Sequence, residues 1–207
     1  MGKEFNRKLL VEGKDDQHVI LALCKKFNIA QNFEVIDCEG ITKLEEQIPI
    51  RLKTHGIETI GIIIDADANI ESRWKSLSAL LSFSGYNVPD KLPSTGLILN
   101  PPNKVKIGVW IMPDNNLNGM LEDFMRFLVP EDDKLLTIAK DSLTEIENEN
   151  LNKYLLIHKS KALIHTWLAW QDDPGTPMGL AITKKYLTTE KEICTRFIEW
   201  IKLTFSE

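Results

Sequence analysis

Two aspartates at the end of an apolar run are the residues whose types and spacing point most directly to chemistry. The run at residues 60–64 holds four isoleucines and one glycine, and Asp65 and Asp67 follow it with a single alanine between them. Such a run predicts a strand covered on both faces, as in parallel sheets. Open α/β sheets bind ligands beyond the carboxyl ends of their strands. Because neighbouring carboxylates repel each other unless they share a cation, the pair predicts a Mg²⁺ or Mn²⁺ site.

A simpler interpretation of these aspartates is also open. An aspartate that ends a strand is often a turn residue or the cap of the next helix, with no ligand. Further acidic residues at the same edge of the sheet would favour the metal site.

Three such acids are expected. Glu12 ends the strand predicted at residues 7–12, and Asp16 lies in the first turn of the following helix. Glu122 lies in the first turn of the helix predicted after the fifth strand. If the first and third strands are neighbours or near neighbours, all these acids meet the aspartate pair at one rim. Mg²⁺ is usually held by a few carboxylates, water and substrate phosphate, so the pattern favours phosphoryl-transfer chemistry.

The elements that must position these acids alternate between strand and helix. Strands are predicted at residues 7–12, 33–38, 60–64, 96–99 and 106–112, and the spacing of apolar residues predicts helices between and after them. Pro49 predicts a kink or two short pieces in the second helix. A capping box at Thr189–Glu192 predicts the start of the last helix. Alternation of this kind predicts right-handed βαβ units in a mostly parallel sheet flanked by helices.

The composition and charge limit the class of protein. The 207 residues are 43% hydrophobic, enough for a core without disulfides, and the three separated cysteines predict buried thiols in a reducing compartment. The polar N-terminal segment has no signal-peptide pattern, and no apolar stretch is long enough to span a membrane. We therefore expect a soluble, cytoplasmic protein without a membrane partner.

The net charge of −5 argues against non-specific coating of nucleic acid. Residues 150–202 nevertheless hold eight Lys and Arg against five Asp and Glu, so a local phosphate-binding patch is possible there. The candidates for contact with substrate phosphate are Lys14, Lys159 and Lys161. The alternative for each is a solvated surface lysine.

Two motifs together resemble a known family. The segment Leu-Leu-Val-Glu12-Gly-Lys-Asp-Asp16, followed by Ile-Ile-Ile-Asp65-Ala-Asp67, resembles the TOPRIM domain. That domain is shared by bacterial primases, type IA and II topoisomerases, ribosomal RNA maturases and overcoming-lysogenisation-defect nucleases. Later segments, around residues 110–124 and 161–169, resemble a small stand-alone TOPRIM-like family of uncharacterised proteins, so the likeness covers most of the chain.

The resemblance implies a fold and roles for particular residues. It implies a Rossmann-like TOPRIM α/β domain at residues 1–130, with residues 131–207 as a helical extension packed on it. It implies that Glu12 is a general acid/base or metal ligand and that Asp65 and Asp67 bind Mg²⁺. Asp16 matches the second acid of the nuclease-type pattern, and Glu122 is carried over as a further ligand.

The activity implied is divalent-metal-dependent hydrolysis of DNA or RNA, as by a nuclease. A topoisomerase needs a nucleophilic tyrosine in a separate domain, and this chain has neither the length nor an obvious site for one. The partner domains that a primase needs are also missing. A non-catalytic module that binds nucleic acid or a partner protein is the main alternative. A phospho-accepting receiver domain is a third interpretation, and a homodimer stays open.

Overall fold

The computed structural model describes residues 5–206; residues 1–4 of the polar N-terminal segment and residue 207 lie outside the described residues. The strands are β1 (Arg7–Val11), β2 (Glu34–Asp37), β3 (Thr59–Asp65), β4 (Leu97–Leu99) and β5 (Lys106–Met112). The helices are α1 (Lys14–Lys26), α2 (Ile41–Leu52), α3 (Ile70–Phe83), α4 (Leu121–Phe127), α5 (Lys134–Asn148), α6 (Lys159–Ala169), α7 (Met178–Thr183) and α8 (Glu192–Phe205). Within the described part of the chain, no helix has the length and apolar character needed to cross a bilayer.

The five strands form one sheet in the order β2-β1-β3-β5-β4. β1, β2, β3 and β5 are parallel, and β4 is an antiparallel edge strand. The predicted α/β class, with a mostly parallel sheet and a helical C-terminal part, is confirmed. Because β1, β3 and β5 lie side by side, their carboxyl ends meet at one edge of the sheet.

Each face of the sheet has its own apolar core. Along β3, Ile62 and Ile64 point into the core under α2 and α3, whereas Ile63 points into the core on the opposite face. That second core is built from α1 and the helices α4 to α8. Burial on both sides explains why β3 is apolar almost throughout.

Helix α8, in the C-terminal part, packs directly on the sheet. Gly61 and Gly108 are partners on β3 and β5, and the absence of side chains there admits α8. A Cβ atom at Gly61 would lie 2.9 Å from Phe205 Cζ, and one at Gly108 would lie 2.6 Å from Thr204 Cγ2. Trp200 Nε1 also donates to the carbonyl oxygen of Leu97 at 3.2 Å. The C-terminal helices thus form one layer of the fold.

The structure differs from the sequence-based expectations at three places. The predicted capping box is wrong, because α8 begins at Glu192 after Lys191, and Thr189 is buried. The ammonium of Lys191 bonds to the carbonyl oxygen of Val129 at 3.0 Å, which anchors the residue before the helix. Helix α2 runs through Pro49 as one element, so the alternative of two short pieces is wrong. Helix α7 was not expected from the sequence.

We predict that Gly108→Ala lowers the free energy of unfolding by about 1–3 kcal/mol, because the new methyl group overpacks against Thr204. Thr204→Ala in the same chain should restore part of that loss. Urea denaturation of the two single variants and the double variant would measure the coupling. If the losses of free energy of unfolding in the two single variants simply add in the double variant, α8 does not rest on β5 as described.

Candidate functional site

Five carboxyl side chains line one cavity at the carboxyl edge of the sheet, and four of them were selected in the sequence analysis. Glu12 follows β1, Asp65 ends β3, and Asp16 and Glu122 lie in the first turns of α1 and α4. The cavity has a volume of about 300 Å³. Its lining is completed by Gly13, Lys14, Asp15, Gly40, Leu121 and Lys161. The structure therefore brings together four of the five acids that the sequence analysis selected.

Two hydrogen bonds fix the central pair of acids. Glu12 Oε1 accepts from the backbone amide of Asp65 at 2.8 Å, which joins the ends of β1 and β3. Asp65 Oδ1 accepts from the amide of Leu121 at 2.9 Å, one of the amides that the first turn of a helix leaves without a helical partner. The two bonds link three elements that meet at the cavity.

Asp16 is held by the turn that precedes its helix. Asp16 Oδ2 accepts from the amide of Gly13 at 3.1 Å, and the side chain of Asp16 is only 8% exposed. Behind this turn, the amide of Gly40 donates to the carbonyl oxygen of Glu12 at 2.7 Å. The β1–α1 and β2–α2 turns are thereby locked together beside the cavity.

Asp67 lies beside the cavity, near enough for its charge to raise the pKa values of Asp65 and Glu12. It does not line the cavity, and its carboxylate forms an ion pair with Arg73 on α3. Its backbone adopts a left-handed φ of 52° and forms a bridge with Gly119, with both N···O distances 2.8 Å. The two aspartates thus have different neighbours: Asp65 lines the cavity, whereas Asp67 pairs with Arg73.

The three candidate lysines also separate. Lys161 Nζ lies 3.3 Å from Glu122 Oε1, and Lys14 lines the cavity. Lys159 forms an ion pair with Glu147 on α5 and is absent from the cavity lining. Two of the three lysines are therefore placed to meet an anion in the cavity.

Arg73 is the charged residue of this region that the sequence analysis missed. It lies in the first turns of α3, which Asn69 caps by accepting from the amide of Ser72 at 2.8 Å. The available signal was a basic residue shortly after an aspartate motif and a helix cap. Side chains on a helix point toward its N-terminus, so a basic side chain in the first turns can reach an aspartate just before the helix.

Burial and like charges raise the pKa values of the cavity acids. Burial, with the charges of Asp16 and Glu12, holds the pKa of Asp65 well above its usual range. Burial, with the charges of Glu12 and Glu122, raises the pKa of Asp16 to about 7. Burial also raises the pKa of Glu12, although the bond from Asp65 and the charge of Arg73 oppose it. Because their pKa values are raised, these acids bind protons more readily than free carboxyl groups do.

The ammonium of Lys161 responds to the same charges. Partial burial acts to lower its pKa, but the carboxylates of Glu122, Asp15 and Asp65 outweigh that effect and raise the pKa above its ordinary value. Lys161 is therefore a cation that the C-terminal part of the chain supplies to the acidic cavity.

The chemistry of the cavity acids, and not a formed metal cage, is what favours a hard divalent cation here. Carboxylate oxygens are the ligands that Mg²⁺ prefers, and a cation would relieve the repulsion that raises the pKa values of these acids. Within residues 5–206, no group of three or more His, Cys, Asp or Glu side chains is placed so that it could hold a metal ion. Mg²⁺ commonly uses one or two carboxylates and completes its shell with water and phosphate. The cavity suits that mode better than a closed four-ligand zinc site.

We predict that the protein becomes less stable as the pH rises from about 4 to about 7 in buffer free of divalent cations. In this window the folded chain keeps the proton of Asp16 that the unfolded chain has lost, so the free energy of unfolding falls with rising pH. Asp16→Asn should flatten this fall and raise the Tm at pH 8 by several degrees, since about 1 kcal/mol corresponds to about 2–4 °C.

Thermal unfolding between pH 4 and 8, with and without Mg²⁺, measures this effect. Asp141→Asn, on the exposed surface of α5, is the matched control and should leave the profile unchanged. An identical pH profile for wild type and Asp16→Asn would contradict the charge balance described for the cavity.

Comparison with known proteins gives a family. Neither the curated proteins nor the solved structures include a match to this chain. One family model, described as "Protein of unknown function (DUF3226)", matches residues 6–206, nearly the whole sequence. The chain belongs to the DUF3226 family.

Proposed function

We propose that this protein is a Mg²⁺- or Mn²⁺-dependent phosphodiesterase that hydrolyses nucleic acid. The observation that carries the proposal is the convergence of acids from β1, α1, β3 and α4 on one cavity that also holds two lysines. Oxygen ligands could hold a cation that polarises phosphate and activates water, and ammonium groups could contact the phosphate. The resemblance of the Glu12 and Asp65 motifs to the TOPRIM domain supports the same chemistry.

Each cavity acid has a part in this proposal. Asp65 with Asp16 or Glu122 would hold the cation, which when bound would neutralise phosphate charge and activate water. Glu12 is the candidate general acid/base, because its Oε1 is fixed by the amide of Asp65 and its raised pKa favours holding a proton.

The two cavity lysines would contact phosphate. Lys14 lies in the first turn of α1 and Lys161 in the first turn of α6, and both line the cavity with the acids. Because α6 belongs to the C-terminal part, both parts of the chain contribute side chains to the proposed site.

A second candidate function is a module that binds nucleic acid or a partner protein without cleaving it. The ion pair of Lys161 with the buried Glu122 favours this alternative, since the chain itself supplies one counter-charge to the acids. Bound metal and bound oligonucleotide without turnover would support the module over the enzyme.

We also propose a cytoplasmic location. Its support is chemical: Cys24, Cys38 and Cys194 are buried free thiols, as expected for a chain that folds in a reducing compartment.

We predict that Glu12→Gln and Asp65→Asn each lower metal-dependent cleavage at least about 100-fold, because one removes a proton-transfer group and the other a cation ligand. Cleavage of single-stranded DNA, double-stranded DNA and RNA would be followed on gels with Mg²⁺, Mn²⁺ or EDTA. Asp141→Asn serves as the control with unchanged cleavage. Cleavage that survives in both site variants would retire the proposed hydrolysis.

We predict that Lys161→Gln raises KM for the oligonucleotide about tenfold, because a charge-assisted contact to phosphate is lost. Lys140→Gln, an exposed lysine on α5, should leave KM unchanged. Thermal unfolding of Lys161→Gln must be measured in parallel, because Glu122 loses its partner. Equal KM values for the two variants would exclude Lys161 from substrate binding.

A further inference from the structure

A second charged group lies next to the acidic cavity but outside its lining. It consists of Asp67, after β3, and Arg73, on α3, joined by an ion pair and hydrogen bond from Arg73 Nη2 to Asp67 Oδ2. The pair lies beside the cavity because Asp67 follows by two residues Asp65, which lines the cavity, and Arg73 is paired with Asp67. The charges of Arg73 and Asp67 also act in opposite directions on the pKa of Glu12.

Backbone hydrogen bonds hold the segment that carries Asp67 next to Arg73. The left-handed backbone of Asp67 is pinned by the paired bonds to Gly119, and the preceding residue, Ala66, donates its amide to the carbonyl oxygen of Met112 at 3.1 Å. The amide of Ile70, at the start of α3, is held by Asn118 Oδ1 at 2.9 Å. The segment that carries Asp67 is therefore tied to the end of β5 before the aspartate and to the loop after β5 beyond it.

Most of the hydrogen-bond donors of Arg73 have no partner among the described residues. A guanidinium has five N–H donors, and among the described residues only its Nη2 has a hydrogen-bond partner, the carboxylate of Asp67. The side chain of Arg73 is 18% exposed, so it is partly withdrawn from water yet reachable from solvent. An orienting carboxylate on one edge leaves other N–H groups available to a planar or tetrahedral anion.

The ion pair is a weak candidate for a purely stabilising role. The side chain of Asp67 is 37% exposed, and ion pairs with a partly solvated partner contribute little to stability. A fixed arginine beside an acidic cavity has a clearer use in binding an anion that the cavity alone would repel.

We propose that Arg73 binds the phosphate of the substrate, and that Asp67 positions Arg73 instead of ligating the divalent cation. The inference deepens the proposed function and rests on it. The cation site is then formed by acids of the cavity, and the adjacent Asp67–Arg73 pair forms the phosphate-binding side.

The first test separates Asp67 from the cation site by direct Mn²⁺ binding, measured by electron paramagnetic resonance of the unbound ion. We expect Asp65→Asn to weaken Mn²⁺ binding at least about tenfold and Asp67→Asn to change it by less than about threefold. Glu71→Gln, an exposed acid near the start of α3, is the matched control for loss of one negative charge. A loss in Asp67→Asn as large as that in Asp65→Asn would overturn the inference and leave the proposed hydrolysis standing.

The second test measures Arg73 itself. The probe is a short fluorescein-labelled single-stranded DNA oligonucleotide, with binding followed by fluorescence anisotropy and cleavage by steady-state kinetics. We expect Arg73→Met to weaken binding and raise KM at least about tenfold without loss of Mn²⁺ binding. Lys75→Met, an exposed cation two residues later, should change neither quantity. Arg73→Lys should recover part of the affinity, because it keeps the charge but not the planar fork.

Asp67→Asn should act in the same direction as Arg73→Met but more weakly, and mainly on KM, as expected of a positioning residue. Unchanged oligonucleotide affinity in a folded Arg73→Met variant would overturn the inference. If the unchanged protein neither binds Mn²⁺ nor cleaves any polynucleotide, the proposed function falls and the inference falls with it.

Discussion

The geometry of the site depends on the hydrogen bond from the backbone amide of Asp65 to the carboxylate of Glu12. This bond joins the carboxyl ends of two adjacent parallel strands and spans 53 positions of the sequence. Because Asp65 also accepts from the start of α4, a single residue aligns β1, β3 and the helix after β5. The other cavity residues follow from that alignment, since they occupy the first turns of helices that start at the same edge.

The crowding of carboxyl groups in the cavity lowers the stability of the folded chain. Several carboxylates share a small, largely buried space, and their raised pKa values record the repulsion and the loss of hydration. Two basic residues from different helices offset part of this repulsion. Lys161 forms an ion pair with Glu122, and Arg73 forms one with Asp67. The charges are thus balanced by groups at the margins, while the centre keeps an excess of negative charge.

Much of the fold and part of the site could be predicted from the sequence because both follow local rules. Apolar runs predict buried strands, and the geometry of parallel strands carries residues such as Glu12 and Asp65 to one edge. The position of Asp67 could not be predicted in this way. Its direction depends on a single left-handed backbone angle and on a partner in the next helix, neither of which appears in the strand pattern. The start of α8 was missed for a similar reason, since a tertiary contact of Lys191 overrides the capping pattern.

The seating of α8 on the glycines of β3 and β5 also bears on how the chain acquires its structure. The indole of Trp200 meets the carbonyl oxygen of Leu97 across 103 positions of sequence, so one side of the sheet is closed by residues far downstream. A nascent chain that has emerged only as far as β5 therefore exposes a wide apolar surface. Contacts of such long range slow folding and lengthen the time during which aggregation competes with it.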